Sequence, residues 1–394
     1  MNNPKKVDVI TKYFLPVAGG IEHNIAKTYS VLAKKYGWEV TIHTSRDNYT
    51  EKNIFPQFEK IDDLKIKRYQ WSRVGFWPKI DFKNTDIVAF HNFDIFPYLQ
   101  IMIYILIQKL INQKNFSLVL TPHGGFNPNW PTFPIFQRIL KWFYTYSLGT
   151  ILINLTVDGV RAVSPWEKAE EEKYIKIPQV KLIENGLEEV AYEDLDKLVS
   201  DKLKQEVKGW GKYVFTNCRL YPIKNMENMY KAFAMLPKEY LLIHIGAIQD
   251  NEYKNLLDEL AKSLGIEKRI KFLGVVRGAD KYYITKQAMM MLHLAWWESG
   301  CNVLREGMSQ GLPLVTSNTY GIPGIVKDKV NGYTVSPSDW KSAGEALCFI
   351  DKNIDSREII NMKNINRTSQ SEITWGNVAK KMDIFYRQLL NNKF

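Results

Sequence analysis

Hydrophobic and polar positions follow two different periods along the chain. The first apolar run, "VDVITKYF", has the length and composition of a strand. After Gly19 and Gly20, apolar residues from Ile21 to Tyr36 recur at every third or fourth position, which predicts one buried face of a helix. The next apolar run, "WEVTIHTS", predicts a second strand. Strand, helix and strand in this order indicate a βαβ unit and therefore a parallel sheet.

The same alternation continues to "LIENGLEE" at residues 182–189 and restarts after about residue 208. The intervening charged stretch is interpreted as a domain linker. The pattern therefore predicts an α/β protein with two Rossmann-like domains facing a cleft, the first spanning 1–188 and the second 189–374. One continuous large α/β sheet is the alternative.

Two local patterns add detail to the first domain. Residues 95–111 are apolar almost all round, but they are too few for a spanning helix, so a buried helix is expected. Ser164, Pro165 and Glu167 have the spacing of a helix N-terminus, with a serine cap and a capping-box glutamate.

Composition and charge narrow the class of protein. Apolar residues make up 45% of the 394 residues, which suits a large core and excludes a mostly disordered chain. The three cysteines are too few and too scattered for a disulfide framework or a zinc site, and the polar, basic N-terminus lacks a secretory pattern, so a cytoplasmic location is expected.

The net charge of +11 is concentrated in the first half of the chain. Residues 1–182 hold 24 Lys and Arg against 16 Asp and Glu, a balance of +8, whereas residues 183–394 hold 29 against 26, a balance of +3. This excess suits an anionic partner such as a nucleotide, an acidic membrane surface or a nucleic acid. A basic surface that only confers solubility explains the charge equally well.

The most informative stretch is "ESGCNVLRE", from Glu298 to Glu306. It follows the predicted strand "MMLHLAWW", so Glu298 is expected at the carboxyl edge of a sheet, where open α/β sheets bind ligands. Asn302 is the predicted N-cap of a helix from Val303 to Gln310. The backbone amides of the residues just before and at this helix start would attract phosphate; they belong to Gly300, Cys301, Asn302 and Val303.

Carboxylates on both sides of a phosphate site suggest a ligand with hydroxyl groups at both ends. A nucleotide sugar has this form, with a ribose, a diphosphate and a hexose. The alternative is that Glu306 only interacts with the helix dipole and that Glu298 is a solvated loop residue, and spacing alone does not decide between them.

Two cations and a third strand support the ligand interpretation. Arg219 and Lys224 follow another predicted strand end, where two fixed cations suit a diphosphate, although a surface ion pair is the alternative. The strand "KFLGVV" has a glycine near its end, and the backbone near Val275 is expected to meet the base of a nucleotide.

Several motifs together resemble glycosyltransferase family 4, whose members are retaining enzymes of the GT-B fold. The resemblance covers nearly the whole chain. Its most specific part is the pair of glutamates with seven residues between them, followed by Gly-Leu-Pro. The other matching segments are "GGIEHNIAKTYSVLAKKYGWEVTIHTS", "TPHGG", "IENGLEE", "NCRLYPIKN" and "TWGNVAKKMDIFYRQLL", the last of which resembles a C-terminal helix, here 375–394, that crosses back onto the first domain.

The resemblance implies roles for the donor-binding residues. Glu306 would bind the ribose hydroxyls, and Glu298 would lie near the donor sugar. Arg219 and Lys224 would hold the diphosphate and stabilise the leaving group. The chain departs from the family where Cys218 replaces a glycine.

The resemblance also implies roles in the first domain. The backbone amide at Gly20, next to Gly19, would approach the diphosphate, and His123 of "TPHGG" matches a histidine near the reacting carbon. Ser299 to Cys301 and Gly324 depart from the family pattern, and the first of these departures leaves the identity of the donor sugar open.

The expected reaction needs no metal or other cofactor, because two cations already face the diphosphate. Asp194 and Asp196 form the one Asp-x-Asp sequence, but they fall in the charged stretch and are interpreted as solvated. The resemblance implies retention of anomeric configuration, and no nucleophile is assigned.

The acceptor is expected on the first domain, where residues 69–80 and 129–148 mix aromatic and basic side chains. This composition suits an anionic membrane face and a saccharide or lipid-linked saccharide acceptor. Core packing with scattered surface lysines is the alternative.

Two other functions are compatible with parts of the pattern. A nucleotide-sugar epimerase would share the fold but would need acid and base groups around the sugar and no acceptor groove. A basic nucleic-acid-binding protein is disfavoured, because no such module is visible and the paired glutamates would repel a polyanion.

Overall fold

A computed structural model of the chain describes residues 4–17, 19–48, 51–52, 54–71, 80–128, 130–177 and 179–391. The chain divides into two compact units. Unit 1 consists of Met1–Gly186 and Trp375–Phe394, and unit 2 consists of Leu187–Thr374. Each unit contains its own sheet, so the prediction of two α/β domains is confirmed and the alternative of one continuous sheet is wrong.

The described part of unit 1 forms an eight-stranded sheet. Its strands are β1 (Lys6–Thr11), β2 (Glu39–Ser45), β3 (Phe58–Ile61), β4 (Leu64–Tyr69), β5 (Ile87–His91), β6 (Ser117–Thr121), β7 (Gly159–Ala162) and β8 (Val180–Leu182). The order is β3-β4-β2-β1-β5-β6-β7-β8. All neighbours are parallel except β3, which pairs antiparallel with β4.

Helices cover this sheet. They are α1 (Gly20–Tyr36), α2 (Tyr98–Leu110), α3 (Ile135–Tyr146), α4 (Leu148–Thr156), α5 (Pro165–Tyr174) and the C-terminal helix (Trp375–Asn391), with a 3-10 turn at Trp130–Thr132. The C-terminal helix packs on α1, and Trp38 Nε1 donates to Asp383 Oδ1 at 2.7 Å. The expected return of the C-terminal segment to the first domain is therefore confirmed.

The described part of unit 2 forms a six-stranded, fully parallel sheet. Its strands are β9 (Tyr213–Asn217), β10 (Leu241–Ile245), β11 (Ile270–Phe272), β12 (Met290–His293), β13 (Leu314–Ser317) and β14 (Tyr333–Val335). The order β11-β10-β9-β12-β13-β14 is that of a doubly wound Rossmann sheet, and it reverses between β9 and β12.

Helices lie on both faces of this second sheet. They are α6 (Leu195–Leu198), α7 (Asp201–Gly209), α8 (Met226–Phe233), α9 (Asn251–Ser263), α10 (Gly278–Gln287), α11 (Asn302–Ser309), α12 (Trp340–Lys352) and α13 (Arg357–Ser369), with 3-10 turns at Glu189–Tyr192, Pro222–Lys224, Glu267–Arg269 and Ile322–Gly324. Successive strand residues serve opposite cores, as Val214 and Phe215 do, which explains the continuous apolar runs in the sequence.

Two expectations about individual segments are wrong. The charged stretch before residue 208 is not a linker, because Ala191, Leu195 and Val207 are buried in the core of unit 2. The helix predicted at 95–111 is buried on one side only, since Ile107, Leu110 and Ile111 are exposed. Within the described ranges, no helix has both the length and the apolarity to cross a bilayer.

Candidate active site

The predicted site residues of unit 2 gather at the carboxyl ends of β9 and β12. These two strands are neighbours, and the strand order reverses between them. Chain segments leaving the two ends diverge to opposite sides, so a crevice forms there. Asn217 ends β9, and Lys224 follows it in a 3-10 turn. Glu298 lies five residues beyond the end of β12, which is shorter than the predicted strand.

Lys224 and Glu298 form an ion pair at this edge. The distance from Lys224 Nζ to Glu298 Oε1 is 2.5 Å, and the side chains are 16% and 14% exposed. Burial opposes ionisation of Glu298, but Lys224 and His293 outweigh it and lower the pKa of Glu298 to about 2. The pKa of Lys224 is raised, because attraction to Glu298 exceeds the effect of burial. Both groups are therefore charged at neutral pH.

Glu298 is held from a second side by the end of β12. His293 Nε2 lies 3.1 Å from Glu298 Oε1 and 3.4 Å from Cys301 Sγ. The loop itself is anchored by Gly321, whose amide donates to the Glu298 carbonyl at 2.9 Å. A Cβ at Gly321 would lie 2.0 Å from the Ser299 carbonyl oxygen, so only glycine allows this close approach.

Glu306 is the centre of a separate charged network. Its Oε2 accepts from Asn217 Nδ2 at 2.9 Å, and its Oε1 accepts from Lys281 Nζ at 2.7 Å. Lys281 also donates to Glu188 Oε2 at 3.2 Å. Burial opposes the charge on Lys281, but the two carboxylates outweigh it and raise the pKa of Lys281. These contacts fix the orientation of Glu306, and a carboxylate with two such contacts keeps lone pairs for further donors.

Arg219 differs from Lys224 in having no ion-pair partner among the described residues. It is half-buried, two residues after the end of β9. Cys218, where the resembled family has glycine, turns its side chain into the core, with Sγ 3.6 Å from Met226 Sδ. The cysteine therefore does not fill the strand edge next to Arg219.

The helix start at "SGCN" differs from the prediction by one residue. Cys301, and not Asn302, is the N-cap, and α11 runs from Asn302 to Ser309. Gly300 and Val303 are half-buried. Asn302 Oδ1 is buried without a hydrogen-bond partner in the described structure, so this side chain does not perform the predicted capping.

Val275 lies outside a strand. β11 ends at Phe272, and Val275 follows in a loop, with 54% of its surface exposed. Gly274 has φ of +69°, and its carbonyl accepts from the Gly246 amide at 2.8 Å. The predicted strand "KFLGVV" is therefore too long, while its glycine does mark the turn.

Two of the predicted residues open the first helix of unit 1. Gly19 is the N-cap of α1 in an extended conformation, and Gly20 is its first residue. A Cβ at Gly20 would meet no other atom within 4 Å. Packing within the described chain thus gives no reason for glycine at this position, and the space leaves room for a ligand to approach the backbone.

His123 lies in a turn after β6, with φ of +52°. Its Nε2 is 3.0 Å from His91 Nδ1, and His91 Nε2 is 2.9 Å from the Tyr29 hydroxyl. Burial, followed by the nearby Arg161, lowers the pKa of His123 to about 3. The imidazole is therefore neutral near pH 7 and can act as a hydrogen-bonding group but not as a cation.

The carboxylate of Glu167 makes contacts other than those of the predicted capping box. Ser164 Oγ does accept from the Glu167 amide at 3.1 Å, which confirms the serine cap. The Glu167 carboxylate, however, accepts from the amides of Val163 and Gly124. It thereby holds the turn that carries His123. Burial raises the pKa of Glu167 to about 7.

One group of side chains near Glu298 has metal-binding chemistry. Ligand atoms of His293, Glu298 and Cys301 lie within 4.8 Å of one another. The Glu298 oxygen in this group is already neutralised by Lys224 at 2.5 Å. Burial raises the pKa of Cys301 well above the usual thiol range, which opposes the thiolate that a metal requires. The group therefore fits an ion poorly.

Three residues of this site were not predicted from the sequence. Lys281 comes from the middle of α10, Asn217 ends β9 and His293 ends β12. Asn217 and His293 lie inside the predicted strands, which continue past the observed strand ends, so their position at the sheet edge follows only from the structure. Lys281 is one of many helix lysines and carries no local signal.

Comparisons with known proteins agree with this architecture. Residues 200–366 match the family model of glycosyl transferases group 1. An uncharacterized glycosyltransferase from Methanocaldococcus jannaschii is 23% identical over 416 residues, covering 98% of this chain and 99% of the relative.

Solved structures show a similar fold. Sucrose-phosphate synthase from Thermosynechococcus elongatus has a TM-score of 0.75 at 18% identity, covering 98% of this chain and 100% of that one. HepE from Anabaena in complex with UDP has a TM-score of 0.73 at 16% identity, with the same coverage. HepE has also been solved with UDP-glucose, at a TM-score of 0.71, with 18% identity and 98% and 99% coverage.

Proposed function

We propose that this chain, a glycosyltransferase of the GT-B type, transfers a sugar from a nucleoside-diphosphate donor with retention of anomeric configuration. The match of residues 200–366 to glycosyl transferases group 1 supports this activity. The acceptor is a saccharide, free or lipid-linked, used in glycan or cell-envelope polysaccharide synthesis. The enzyme works at the cytoplasmic face of a membrane. The HepE complexes with UDP and UDP-glucose support a nucleotide-sugar donor.

The observation that carries the proposal is the charge arrangement after β9 and β12. Lys224 is paired with Glu298, whereas Arg219 has no ion-pair partner among the described residues. An unpaired, half-buried cation at a strand edge is suited to an anionic ligand, and a guanidinium can bind phosphate oxygens with two parallel hydrogen bonds. We expect a diphosphate placed there to be bound by both Arg219 and Lys224.

The reaction breaks the bond between the anomeric carbon and the phosphate oxygen. Negative charge develops on the departing diphosphate, and Arg219 and Lys224 stabilise it, together with the amides at the start of α11. A new bond forms between the anomeric carbon and the acceptor oxygen on the same face of the sugar. The acceptor proton passes to the leaving phosphate oxygen, so no protein nucleophile is required.

Glu306 and Glu298 serve opposite ends of the donor. Glu306 is held by Asn217 and Lys281, and its remaining lone pairs accept from the ribose hydroxyls. Glu298 lies beside Lys224 and the start of α11, where the donor sugar would follow the diphosphate. Its charge favours the positive character that the sugar ring gains in the transition state.

Metal independence belongs to the same proposal. One arginine, Arg219, and one lysine, Lys224, supply the positive charge that a divalent ion provides in metal-dependent enzymes. Lys224 already neutralises the Glu298 carboxylate, so the group of His293, Glu298 and Cys301 is not assigned to metal binding. His293 and Cys301 instead position Glu298.

The test is a donor screen with purified protein. Nucleoside-diphosphate sugars are incubated with and without simple saccharide acceptors, and products are identified by mass spectrometry and by NMR of the anomeric proton. Slow hydrolysis of one donor, and its transfer with retention when an acceptor is present, would support the proposal. An epimerised donor with no transfer would indicate an epimerase, and transfer with inversion would contradict the retaining mechanism.

A further inference from the structure

Two helices of unit 1 expose an unusual number of large apolar side chains. In α3, only Tyr144 and Thr145 are buried, while Phe136 is 75%, Phe143 61% and Trp142 57% exposed. The remaining exposed members of what we call the α3–α4 face are Ile135, Ile139, Leu140, Leu148, Ile151 and Leu155. The two helices pack on one another, so these side chains share one region of the surface.

The end of α2 extends this face. Lys109 Nζ donates to the Leu155 carbonyl at 2.7 Å, which places the last turn of α2 beside the last turn of α4. Ile107, Leu110 and Ile111 are 48%, 73% and 55% exposed there. Contiguous apolar surface of this extent is rare on soluble monomers and marks a binding surface.

The charged residues of this region are basic. Between Asp94 and Asp158 the sequence contains no Asp or Glu, but it contains Lys109, Lys114, Arg138 and Lys141. The flanking carboxylates neutralise Lys141 and Lys114.

The other two cations keep their charge available. Lys109 donates to the Leu155 carbonyl, and Arg138 donates to the carbonyls of Phe133 and Pro131. In the described structure neither has a carboxylate partner. An occupant of this face must therefore be apolar in its interior and anionic at its surface.

We propose that the α3–α4 face is a docking surface for a lipid bilayer that contains anionic headgroups. Exposed Phe and Trp side chains enter the boundary between headgroups and acyl chains, and Lys109 and Arg138 meet the headgroups. The assignment rests on the proposed function only in naming a lipid-linked acceptor, since apolarity and charge alone define the surface.

A second copy of the chain fits this face less well. A two-fold dimer brings the same patch of both copies together. Lys109 and Arg138 would then approach their own counterparts, with no carboxylate in either helix to neutralise them. Anionic lipid removes this repulsion, so the bilayer is the occupant that the charges favour.

Co-sedimentation of the full chain with vesicles tests the proposal. We expect binding to vesicles of phosphatidylcholine with about a third phosphatidylglycerol, and weaker binding to phosphatidylcholine alone or in high salt. The triple variant Phe136→Gln, Ile139→Gln, Phe143→Gln should weaken binding on the order of 10-fold or more. Lys109→Gln with Arg138→Gln should remove most of the preference for anionic lipid.

Matched controls come from other exposed positions of unit 1. Phe58, Ile54 and Ile384 are 69%, 45% and 47% exposed outside the α3–α4 face, and their triple change to Gln should leave binding unaltered. Donor hydrolysis in solution, measured without vesicles, should be the same in all variants. This measurement detects a failure of the proposed glycosyltransferase function independently of vesicle binding.

Three results would overturn the proposal. They are no binding of the wild type to anionic vesicles at low salt, equal loss of binding in both triple variants, and a dimer in analytical ultracentrifugation that the α3–α4 triple variant converts to monomer. The last result would assign the face to a second copy.

Discussion

Replacing Lys281 by Met should weaken both donor binding and folding, because this lysine is the only bridge that the described structure shows between Glu306 and Glu188. The three side chains are 10%, 14% and 19% exposed. Methionine keeps the apolar stem of the lysine but removes the positive charge that contacts both carboxylates.

The magnitude follows from the burial of this network. Removing one partner of a buried ion pair costs about 3–5 kcal/mol, and the residual exposure here reduces the expected loss to about 2–3 kcal/mol. For a unit of this size, such a loss lowers the melting temperature by about 5–10 °C. The donor KM should rise on the order of 10-fold, because Glu306 loses the contact that orients it, while kcat should change little.

The assay is steady-state kinetics on the donor identified in the screen, with thermal unfolding of the same preparations. Glu188→Gln is the matched control, since it removes a charge from the network but leaves the contact between Lys281 and Glu306 intact. Its donor KM should remain near that of the wild type. If Lys281→Met lowers the melting temperature as expected but leaves the donor KM unchanged, the network is structural and Glu306 does not bind the ribose.

Three further outcomes are expected. Glu298→Gln should chiefly lower kcat, whereas Glu306→Gln should chiefly raise the donor KM; steady-state kinetics showing identical effects would refute the division of roles. Activity should survive EDTA, and a complete loss that magnesium or manganese restores would contradict metal independence. Because the pKa of His123 falls from its ordinary 6.5 to about 3 on folding, its stabilisation is present above pH 6.5 and is lost as the pH falls toward 3. The loss is about 2 kcal/mol at pH 5. His123→Gln should therefore unfold less steeply with acid in denaturant titrations, and an unchanged pH dependence would argue against a neutral His123.

The periodicity of apolar residues is sufficient to predict the two α/β domains. Strands buried on both faces read as continuous apolar runs, and glycines such as Gly37, with φ of +71°, mark helix ends. The C-terminal helix was found through family resemblance, because its amphipathic pattern alone does not say which sheet it covers.

The burial of the charged stretch before residue 208 cannot be predicted from its local composition. Its apolar residues Ala191, Leu195 and Val207 are widely spaced among charges, so the local composition resembles a linker. Their burial depends on tertiary packing against unit 2, which local composition does not report.

Some site residues can be predicted from the sequence, whereas the contacts of others arise only in the fold. Glu298, Arg219 and Lys224 follow strand ends and could be placed from the sequence alone. Lys281 reaches Glu306 across 25 positions, a pairing that only the fold creates. The exposed α3–α4 face was partly foreseen in residues 129–148, whereas most of the other predicted segment, 69–80, lies outside the described residues.

The central claim is that the edge of unit 2 at Arg219 and Lys224 binds the diphosphate of a nucleotide donor. Isothermal titration calorimetry with UDP, GDP and ADP, each compared with its nucleoside, tests this claim directly. We expect one diphosphate to bind much more tightly than its nucleoside, and Arg219→Gln to weaken that binding about 10-fold or more, while Arg357→Gln, an exposed arginine of the same unit, has no effect. Equal binding by wild type and Arg219→Gln, or binding of none of the three diphosphates, would contradict the account.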